Sequence, residues 1–294
     1  MKRVLTAAAL IPVVLLIVFK APLWLFSLVV AAIAMLALHE YLNLAKGHQM
    51  KPIAVPCYIV SALLIWAIYM APLPFLLEPV GPLLWLVVLL FPLLFGIPIV
   101  FRGDLKMALA EAAVSAFGVL YVAGGLGLLI SLRADPRKSI LVFYVLVTVW
   151  AGDIAAYYVG RRIGKHKLAP VVSPNKSLEG AIASVAGSVI VGLIVFHFYD
   201  ALGQQFNSDV FPLLYSRRLW LHVAFLSGLT NIAAQFGDLF ESAIKRGAGA
   251  KDSGTLLPGH GGILDRIDAL LFAIPIVWYY ANLLGFPPLR PFTK

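Results

Sequence analysis

Acidic, basic and glycine residues are concentrated in one stretch of this chain, between positions 235 and 268. The chain is 61% hydrophobic and 13% charged. The stretch nevertheless holds five of the fourteen carboxylates, which are Asp238, Glu241, Asp252, Asp265 and Asp268. Basic residues are interleaved with them, and six glycines follow Arg246 before Leu264. Carboxylates bind hard cations, basic side chains bind phosphate, and glycine lets a backbone approach either closely. The stretch therefore predicts a site for a metal ion and a phosphate compound.

Three of these carboxylates have the spacing of a magnesium site. If a helix begins near Leu264, Asp265 and Asp268 lie on one face of it. Asp238 ends the preceding helix and can converge on them, which leaves room for phosphate oxygens around a Mg²⁺ ion. The alternative is that acidic residues at a helix start only interact with the helix dipole. His260, which lies among glycines, can equally be structural or catalytic.

A second polar stretch runs from Asp153 to Gly180. Asp153 falls inside an apolar helix, where a lone charge costs about 2.5–3.5 kcal/mol on insertion scales. Tyr157 and Arg161 share its helix face, and Gly152, Ala156 and Gly160 form a small-residue stripe beside it that suits close helix packing. Asp153 is therefore either functional near the membrane surface or paired within the helix bundle.

The loop after that helix predicts a phosphate site where the next helix begins. Lys176 and Ser177 would combine an ammonium and a hydroxyl with the free N–H groups of a helix start. Glu179 fits the same site, or it is simply a first-turn carboxylate. The segment from Gly160 to Lys165 is not a phosphate-binding Walker loop, because it is one residue too short and His166 replaces the Ser or Thr.

A polar stripe also marks the eighth apolar segment. Ser227, Asn231, Gln235 and Asp238 are spaced four, four and three residues apart, so they align on one side of a helix. Lipid cannot satisfy these groups, and the stripe is predicted to face protein or a water-filled cavity.

Composition indicates an all-α polytopic membrane protein, because apolar segments long enough to cross a bilayer recur along the 294 residues. We predict about nine spans, at 4–19, 22–38, 53–72, 79–101, 109–132, 139–160, 179–199, 219–237 and 266–286. The net charge is +9, and the basic residues lie in short loops between the apolar segments. This placement indicates that they orient the protein in the membrane and do not bind nucleic acid. The single cysteine, Cys57, excludes an intrachain disulfide.

Basic residues predict which side of the membrane carries the polar stretches. In the nine-span topology, 15 of the 23 lysines and arginines fall on the side of the N-terminus. The loops at 161–178 and 238–265 lie on that side, which the positive-inside rule makes cytoplasmic. The two polar stretches are therefore expected to face the same compartment.

At these residues the chain resembles the phosphatidate cytidylyltransferases, also called CDP-diacylglycerol synthases. The match covers about 27 residues without a gap. It reads Ser242-Ala-Ile-Lys245-Arg246, Lys251-Asp252, Pro258-Gly-His260-Gly261-Gly262 and Asp265-Arg266-Ile-Asp268. The family's Lys-Thr-x-Glu-Gly is similar to Lys176-Ser177-Leu178-Glu179-Gly180, where serine keeps the hydroxyl. The first five spans resemble the family only in hydrophobicity and order.

The resemblance implies a Mg²⁺-dependent reaction of CTP with phosphatidate that gives CDP-diacylglycerol and pyrophosphate. The expected metal ligands are Asp153, Asp238, Asp265 and Asp268, for one or two divalent cations, with a monovalent cation also compatible. The expected catalytic residues are Asp238, Asp265, Asp268, Lys251 and His260. The expected substrate-binding residues are Lys176, Ser177, Glu179, Arg246, Asp252, Gly261 and Gly262.

We expect one membrane domain, 1–294, in the cytoplasmic membrane, with its active site on the cytoplasmic side. Residues 1–138 would shape a lipid cavity, and 139–294 would supply the catalytic helices and loops. A homodimer is compatible with this picture. Two other functions remain open from the residues. A CTP-dependent lipid-alcohol kinase would use the same groups, and a cation-coupled transporter could use Asp153 and Asp238. The spacing of the CDP-alcohol phosphotransferases is absent.

Overall fold

The computed structural model of the protein describes residues 12–70, 95–98, 100–101, 105–135, 138–198, 217–256 and 261–283. Its longer helices in this part of the chain are α1 Leu23–Gly47, α2 Ala54–Met70, α3 Ala108–Ala134, α4 Ile140–Ile163, α5 Leu178–His197, α6 Arg217–Gly247 and α7 Leu264–Leu283. Residues 12–20 and 95–98 are also helical.

Four of these helices, α1, α3, α4 and α5, are long and apolar enough to cross a membrane. The protein is therefore a helical membrane protein, as its composition predicts. The number of spans stays a prediction, because half of the first predicted span and most of the fourth lie outside the described residues. The eighth and ninth predicted spans correspond to α6 and α7. Both are helical, but neither is among the four helices that are long and apolar enough to cross a membrane. The predicted start of the last helix near Leu264 is confirmed, whereas α6 continues to Gly247, ten residues beyond its predicted end.

The described residues form two compact units. The first contains α1, α2, nearly all of α3 and the segment Ala243–Ile267. The second contains residues 13–20, α4, α5, α6 up to Ser242 and the part of α7 from Asp268 onward.

The core of the first unit comes from α1, α2 and α3, whose buried side chains include Leu38, Val60 and Ile130. The middle of α3 is a π-helical turn, Val119–Gly124. Glu111 of α3 is also buried, and its carboxylate accepts the backbone N–H of Lys51 at 2.8 Å. This contact fixes the chain where it leads into α2.

In the second unit, α4 and α5 pack through small residues, as the sequence predicts. A Cβ atom on Gly152 would meet Asn231, Ser188 and Ser184. A Cβ atom on Gly180 would lie 3.1 Å from the carbonyl oxygen of Ala156. These positions leave no space for a larger side chain, so the two helix backbones can approach closely.

The loop between α4 and α5 contains an antiparallel strand pair that the sequence does not predict. Strand β1, Lys167–Ala169, pairs with β2, Ser173–Ser177. Lys167 lies opposite Ser177 and Ala169 opposite Ser173, with an irregular register between them. For the described residues, the all-α expectation is therefore corrected by the addition of this short strand pair. Since β2 leads directly into α5, the pair fixes the residues at the start of that helix.

Candidate functional site

A cavity of about 620 Å³ lies within the second unit. Helices α4, α5 and α6 and the strand pair contribute to its wall. Its polar lining consists of Asp153, Tyr157, Arg161, Asn175, Lys176, Ser177, Ser184, Gln235 and Asp238. The two polar stretches of the sequence thus contribute to the same cavity, through the Asp153–Gly180 stretch and through the first residues of the 235–268 stretch.

The charged centre of the cavity is an ion pair between Lys176 and Asp238. Lys176 Nζ of β2 lies 2.6 Å from Asp238 Oδ2 of α6. Asp153 lines the same cavity from α4. Two carboxylates and one ammonium, supplied by three different elements, therefore face one space that is large enough for a small molecule.

The column predicted along α4 is confirmed. Asp153, Tyr157 and Arg161 all line the cavity, and Arg161 Nη1 donates a hydrogen bond to the Tyr157 hydroxyl at 3.0 Å. Because both side chains are exposed, their charge and hydrogen-bonding groups are available to a molecule that enters. The column adds a guanidinium to the positive charge of Lys176.

Ser177 lies at the start of α5, as the sequence predicts, and the structure shows that it caps this helix. Its Oγ accepts the backbone N–H of Gly180 at 3.2 Å. Gly160 of α4 lies directly against this turn, since a Cβ atom there would be 3.1 Å from Ser177 Oγ. The cavity therefore includes a helix N-terminus, where backbone N–H groups and the helix dipole favour an anion.

Glu179 fixes the strand pair instead of lining the cavity. Its carboxylate accepts the backbone N–H of Lys165 at 3.1 Å and that of His166 at 3.2 Å. His166 Nδ1 also lies 2.7 Å from Glu179 Oε1. In this arrangement the side chain ties the end of α4 to the start of α5, so it shapes the site from outside.

The polar stripe of α6 faces protein, as predicted. Asn231 Nδ2 donates to Ser184 Oγ of α5 at 3.0 Å, and Gln235 Nε2 donates to the carbonyl oxygen of Ala181 at 3.1 Å. Ser227 Oγ is 2.7 Å from the hydroxyl of Tyr144 on α4. These bonds set the rotation and height of α6 against α4 and α5, which positions Asp238 in the cavity.

A second polar cluster lies in the first unit, around Asp265. Its Oδ1 lies 2.5 Å from Lys245 Nζ, and its Oδ2 accepts the backbone N–H groups of Ser253 at 2.9 Å and Gly262 at 2.7 Å. Partial burial opposes ionisation, but the Lys245 ammonium and these N–H groups outweigh it and hold the pKa of Asp265 below its ordinary value. The carboxylate therefore stays charged and orders the glycine-rich segment.

Glu40 of α1 belongs to the same cluster and was missed from the sequence. It is 3% exposed. Its carboxylate accepts the backbone N–H groups of Ile263 and Leu264 and the hydroxyl of Ser253. The available signal was a lone acidic residue inside an apolar helix, the same signal that singles out Asp153.

The other predicted residues of the glycine-rich segment are mostly at the surface. Arg246, Lys251 and Asp252 are exposed, and Arg246 Nη1 donates to the carbonyl oxygen of Ala250 at 2.9 Å. Gly261 has φ +77°, a left-handed conformation that favours glycine. His260 lies outside the described residues.

Asp268 lies one turn into α7, where its Oδ1 accepts the N–H of Ala269 at 2.8 Å. Among the described residues, there is no group of three or more His, Cys, Asp or Glu side chains that could hold a metal ion. The structure brings together two predicted metal ligands, Asp153 and Asp238, and engages Asp265 with Lys245. The roles of Asp265 and Asp268 in metal binding stay predictions.

These features define a class: a helical membrane protein with a polar cavity suited to a phosphate compound. A family model described as the cytidylyltransferase family matches residues 1–284. The phosphatidate cytidylyltransferase of Bacillus subtilis (strain 168) is 32% identical over 287 residues, which cover 97% of this chain and 98% of that protein. That of Staphylococcus aureus (strain COL) is 35% identical over 283 residues, covering 94% and 96%.

The phosphatidate cytidylyltransferase of Staphylococcus haemolyticus (strain JCSC1435) is 40% identical over 172 residues, which cover 58% of this chain and 60% of that protein. The chain belongs to the cytidylyltransferase family. It is accordingly a nucleotidyltransferase, and the family resemblance seen in its motifs is confirmed.

Proposed function

We propose that the protein is a CTP:phosphatidate cytidylyltransferase, which transfers CMP from CTP to phosphatidate. The observation that carries the proposal is the cavity in which Lys176, Asp153 and Asp238 meet the capped start of α5. A nucleoside triphosphate needs positive charge and backbone N–H groups, and its metal ion needs carboxylates. The cavity offers all three. The relatives named for this activity match nearly the whole chain.

The reaction is an in-line substitution at phosphorus. A phosphate oxygen of phosphatidate attacks the α-phosphorus of CTP and forms a new P–O bond. The bond from that phosphorus to the bridging oxygen of the β-phosphate breaks, and pyrophosphate leaves with the electron pair. A phosphate monoester is already a good nucleophile. The protein therefore contributes mainly by positioning the two phosphates and neutralising their charge.

Lys176 and the start of α5 are the proposed triphosphate contacts. Lys176 can move its ammonium from Asp238 to a phosphate oxygen, because both side chains are only partly buried. Arg161, which lines the cavity, adds a second cation. Further contacts are proposed for other residues that the family motif carries, which are Ser177, Arg246, Asp252, Gly261 and Gly262, with Lys251 and His260 as catalytic residues. Glu179, which the motif also carries, is proposed to support substrate binding from outside the cavity, by holding the start of α5.

Mg²⁺ is the proposed cofactor, and the residues present fit it. Protein sites for this ion commonly supply one or two carboxylates and leave the remaining positions to water and substrate phosphates. Asp153 and Asp238 are two carboxylates in one cavity beside a phosphate-binding helix start. When bound, Mg²⁺ would neutralise charge on the phosphates and on the leaving pyrophosphate. Asp265 and Asp268 are proposed as additional ligands, for a second divalent or a monovalent cation.

The proposed topology has nine spans in one membrane domain within the cytoplasmic membrane, with the cavity open to the cytoplasm. The distribution of basic residues supports this orientation. Phosphatidate would enter from the cytoplasmic leaflet, with its acyl chains among the spans that residues 1–138 supply. A homodimer is proposed as the assembly, to be measured by light scattering in detergent.

Labelled CTP separates this function from its alternatives. The purified protein is incubated with Mg²⁺, phosphatidate micelles and CTP that carries the label on either the α- or the γ-phosphate. Cytidylyl transfer places only the α-label in lipid and releases pyrophosphate. With a lipid alcohol in place of phosphatidate, γ-label in lipid together with free CDP would indicate a kinase. The absence of any lipid product, with cation uptake in vesicles, would indicate a transporter.

A further inference from the structure

We propose that Glu40 is a positioning residue for this reaction, which fixes the turn carrying the Asp265–Asp268 motif from a separate membrane helix. The inference rests on the proposed function, and specifically on the role of that motif. Glu40 lies in the last third of α1, more than 200 residues away from the motif along the chain. Its function must therefore come from contacts that only the fold creates.

The carboxylate of Glu40 takes the position of a helix cap for α7. Its Oε1 accepts the backbone N–H of Ile263 at 3.0 Å, and its Oε2 accepts that of Leu264 at 2.8 Å. N–H groups at a helix start have no partner within their own helix. A negative charge there also interacts favourably with the helix dipole. Glu40 therefore holds the first turn of α7 in place.

Two glycines make room for this carboxylate. A Cβ atom on Gly254 would lie 2.5 Å from Glu40 Oε1, and a Cβ atom on Gly262 would contact Glu40 Oε2. The glycine-rich segment thus encloses Glu40 on two sides. At positions 254 and 262, glycine leaves the space that the Glu40 carboxylate occupies. The sequence alone favours a different role for these glycines, as a backbone cradle for phosphate.

Ser253 connects Glu40 to Asp265. Its Oγ lies 2.9 Å from Glu40 Oε2 and 2.9 Å from Asp265 Oδ2. A hydroxyl has only one proton to donate, so the two carboxylates share it, and a change at one alters the hydrogen bonding of the other. Asp265 also binds Lys245 and Gly262. Glu40 therefore helps to set the position of the Asp265 carboxylate through Ser253.

The first test is Glu40→Gln. Glutamine keeps the size of the side chain but has one acceptor oxygen, and its NH₂ group would face a backbone N–H or the Ser253 hydroxyl. We expect kcat to fall about tenfold or more, within the range of outer-shell substitutions. KM for CTP should change less than kcat, because the main triphosphate contacts proposed above, Lys176 and the start of α5, do not touch Glu40.

The matched control is Glu111→Gln. Glu111 is likewise a buried glutamate of the first unit that accepts a backbone N–H, but the N–H belongs to Lys51, outside the motif. Both variants are expected to lower Tm, and only Glu40→Gln is expected to lower kcat of the folded, monodisperse protein. A kcat for Glu40→Gln within twofold of that for Glu111→Gln would overturn the proposal.

Ser253→Ala keeps the test open if Glu40→Gln does not fold. It removes the hydroxyl that joins the two carboxylates and leaves both charges in place. We expect kcat to fall at least about threefold with KM for CTP retained. An unchanged kcat would refute the connection through Ser253. Wild-type protein that forms no labelled CDP-diacylglycerol would instead contradict the proposed function itself, whatever the variants do.

Discussion

Lys176 contributes to stability through its ion pair with Asp238 and, as proposed, to nucleotide binding through a phosphate contact. Replacing it with methionine separates these two contributions, because the expected losses differ in size. Lys176 and Asp238 have side chains that are 27% and 36% exposed. An ion pair so accessible to solvent contributes at most about 1 kcal/mol to stability. A charge-assisted hydrogen bond to a phosphate is worth about 1.5–3 kcal/mol. At about 1.36 kcal/mol for each factor of ten, Lys176→Met should lower kcat/KM for CTP about 10- to 150-fold.

The assay measures incorporation of α-labelled CTP into lipid across a range of CTP concentrations, with Tm recorded in the same detergent. Lys167→Met is the matched control, because Lys167 is an exposed lysine on the same strand pair but is not part of the cavity lining. It should keep kcat/KM within about twofold. Wild-type kcat/KM in Lys176→Met would refute the assignment of this cavity to the triphosphate, and an equal loss in both variants would point to general surface charge instead.

Three further predictions follow from the packing and charge of both units. Asp153→Asn should raise the Mg²⁺ concentration for half-maximal activity about tenfold or more, since one of two carboxylates in the cavity loses its charge; an unchanged Mg²⁺ titration would contradict its role. Gly180→Val should prevent the close approach of α4 to α5 and yield little folded protein by size-exclusion chromatography, whereas a normal Tm would contradict the packing. Asp265→Ala should cost about 1–3 kcal/mol of stability, because Lys245 and the backbone N–H groups of Ser253 and Gly262 lose this acceptor; retained Tm with lost activity would instead indicate a purely catalytic role.

Motifs that are local in sequence were predicted well. The start of α7 near Leu264, the place of Ser177 at the start of α5, the shared face of Asp153, Tyr157 and Arg161 on α4 and the protein-facing stripe of α6 were all predicted from local spacing and from the cost of polar groups in an apolar helix. Each depends on residues within a few turns of one another. The family resemblance rests on the same kind of evidence, since its motif runs continuously through about 27 residues.

Contacts between different elements were not predictable in the same way. The sequence placed Glu179 with the substrate-binding residues, whereas its carboxylate binds the backbone of Lys165 and His166. Backbone N–H groups carry no sequence signal, so nothing marks which of them a carboxylate will meet. The strand pair was missed for a related reason, because three- and five-residue strands are too short to show a repeating pattern.

By itself, the sequence determined that this is a helical membrane protein of the cytidylyltransferase family with two polar stretches. Hydrophobic length, helical periodicity and motif spacing are properties of the chain alone. Tertiary structure decided how the carboxylates are used. It placed Asp153 and Asp238 in one cavity with Lys176, and it brought Glu40 from α1 to the turn beside Asp265. A buried carboxylate is stabilised only by the donors that surround it, and for Glu40 those donors come from residues more than 200 positions away along the chain.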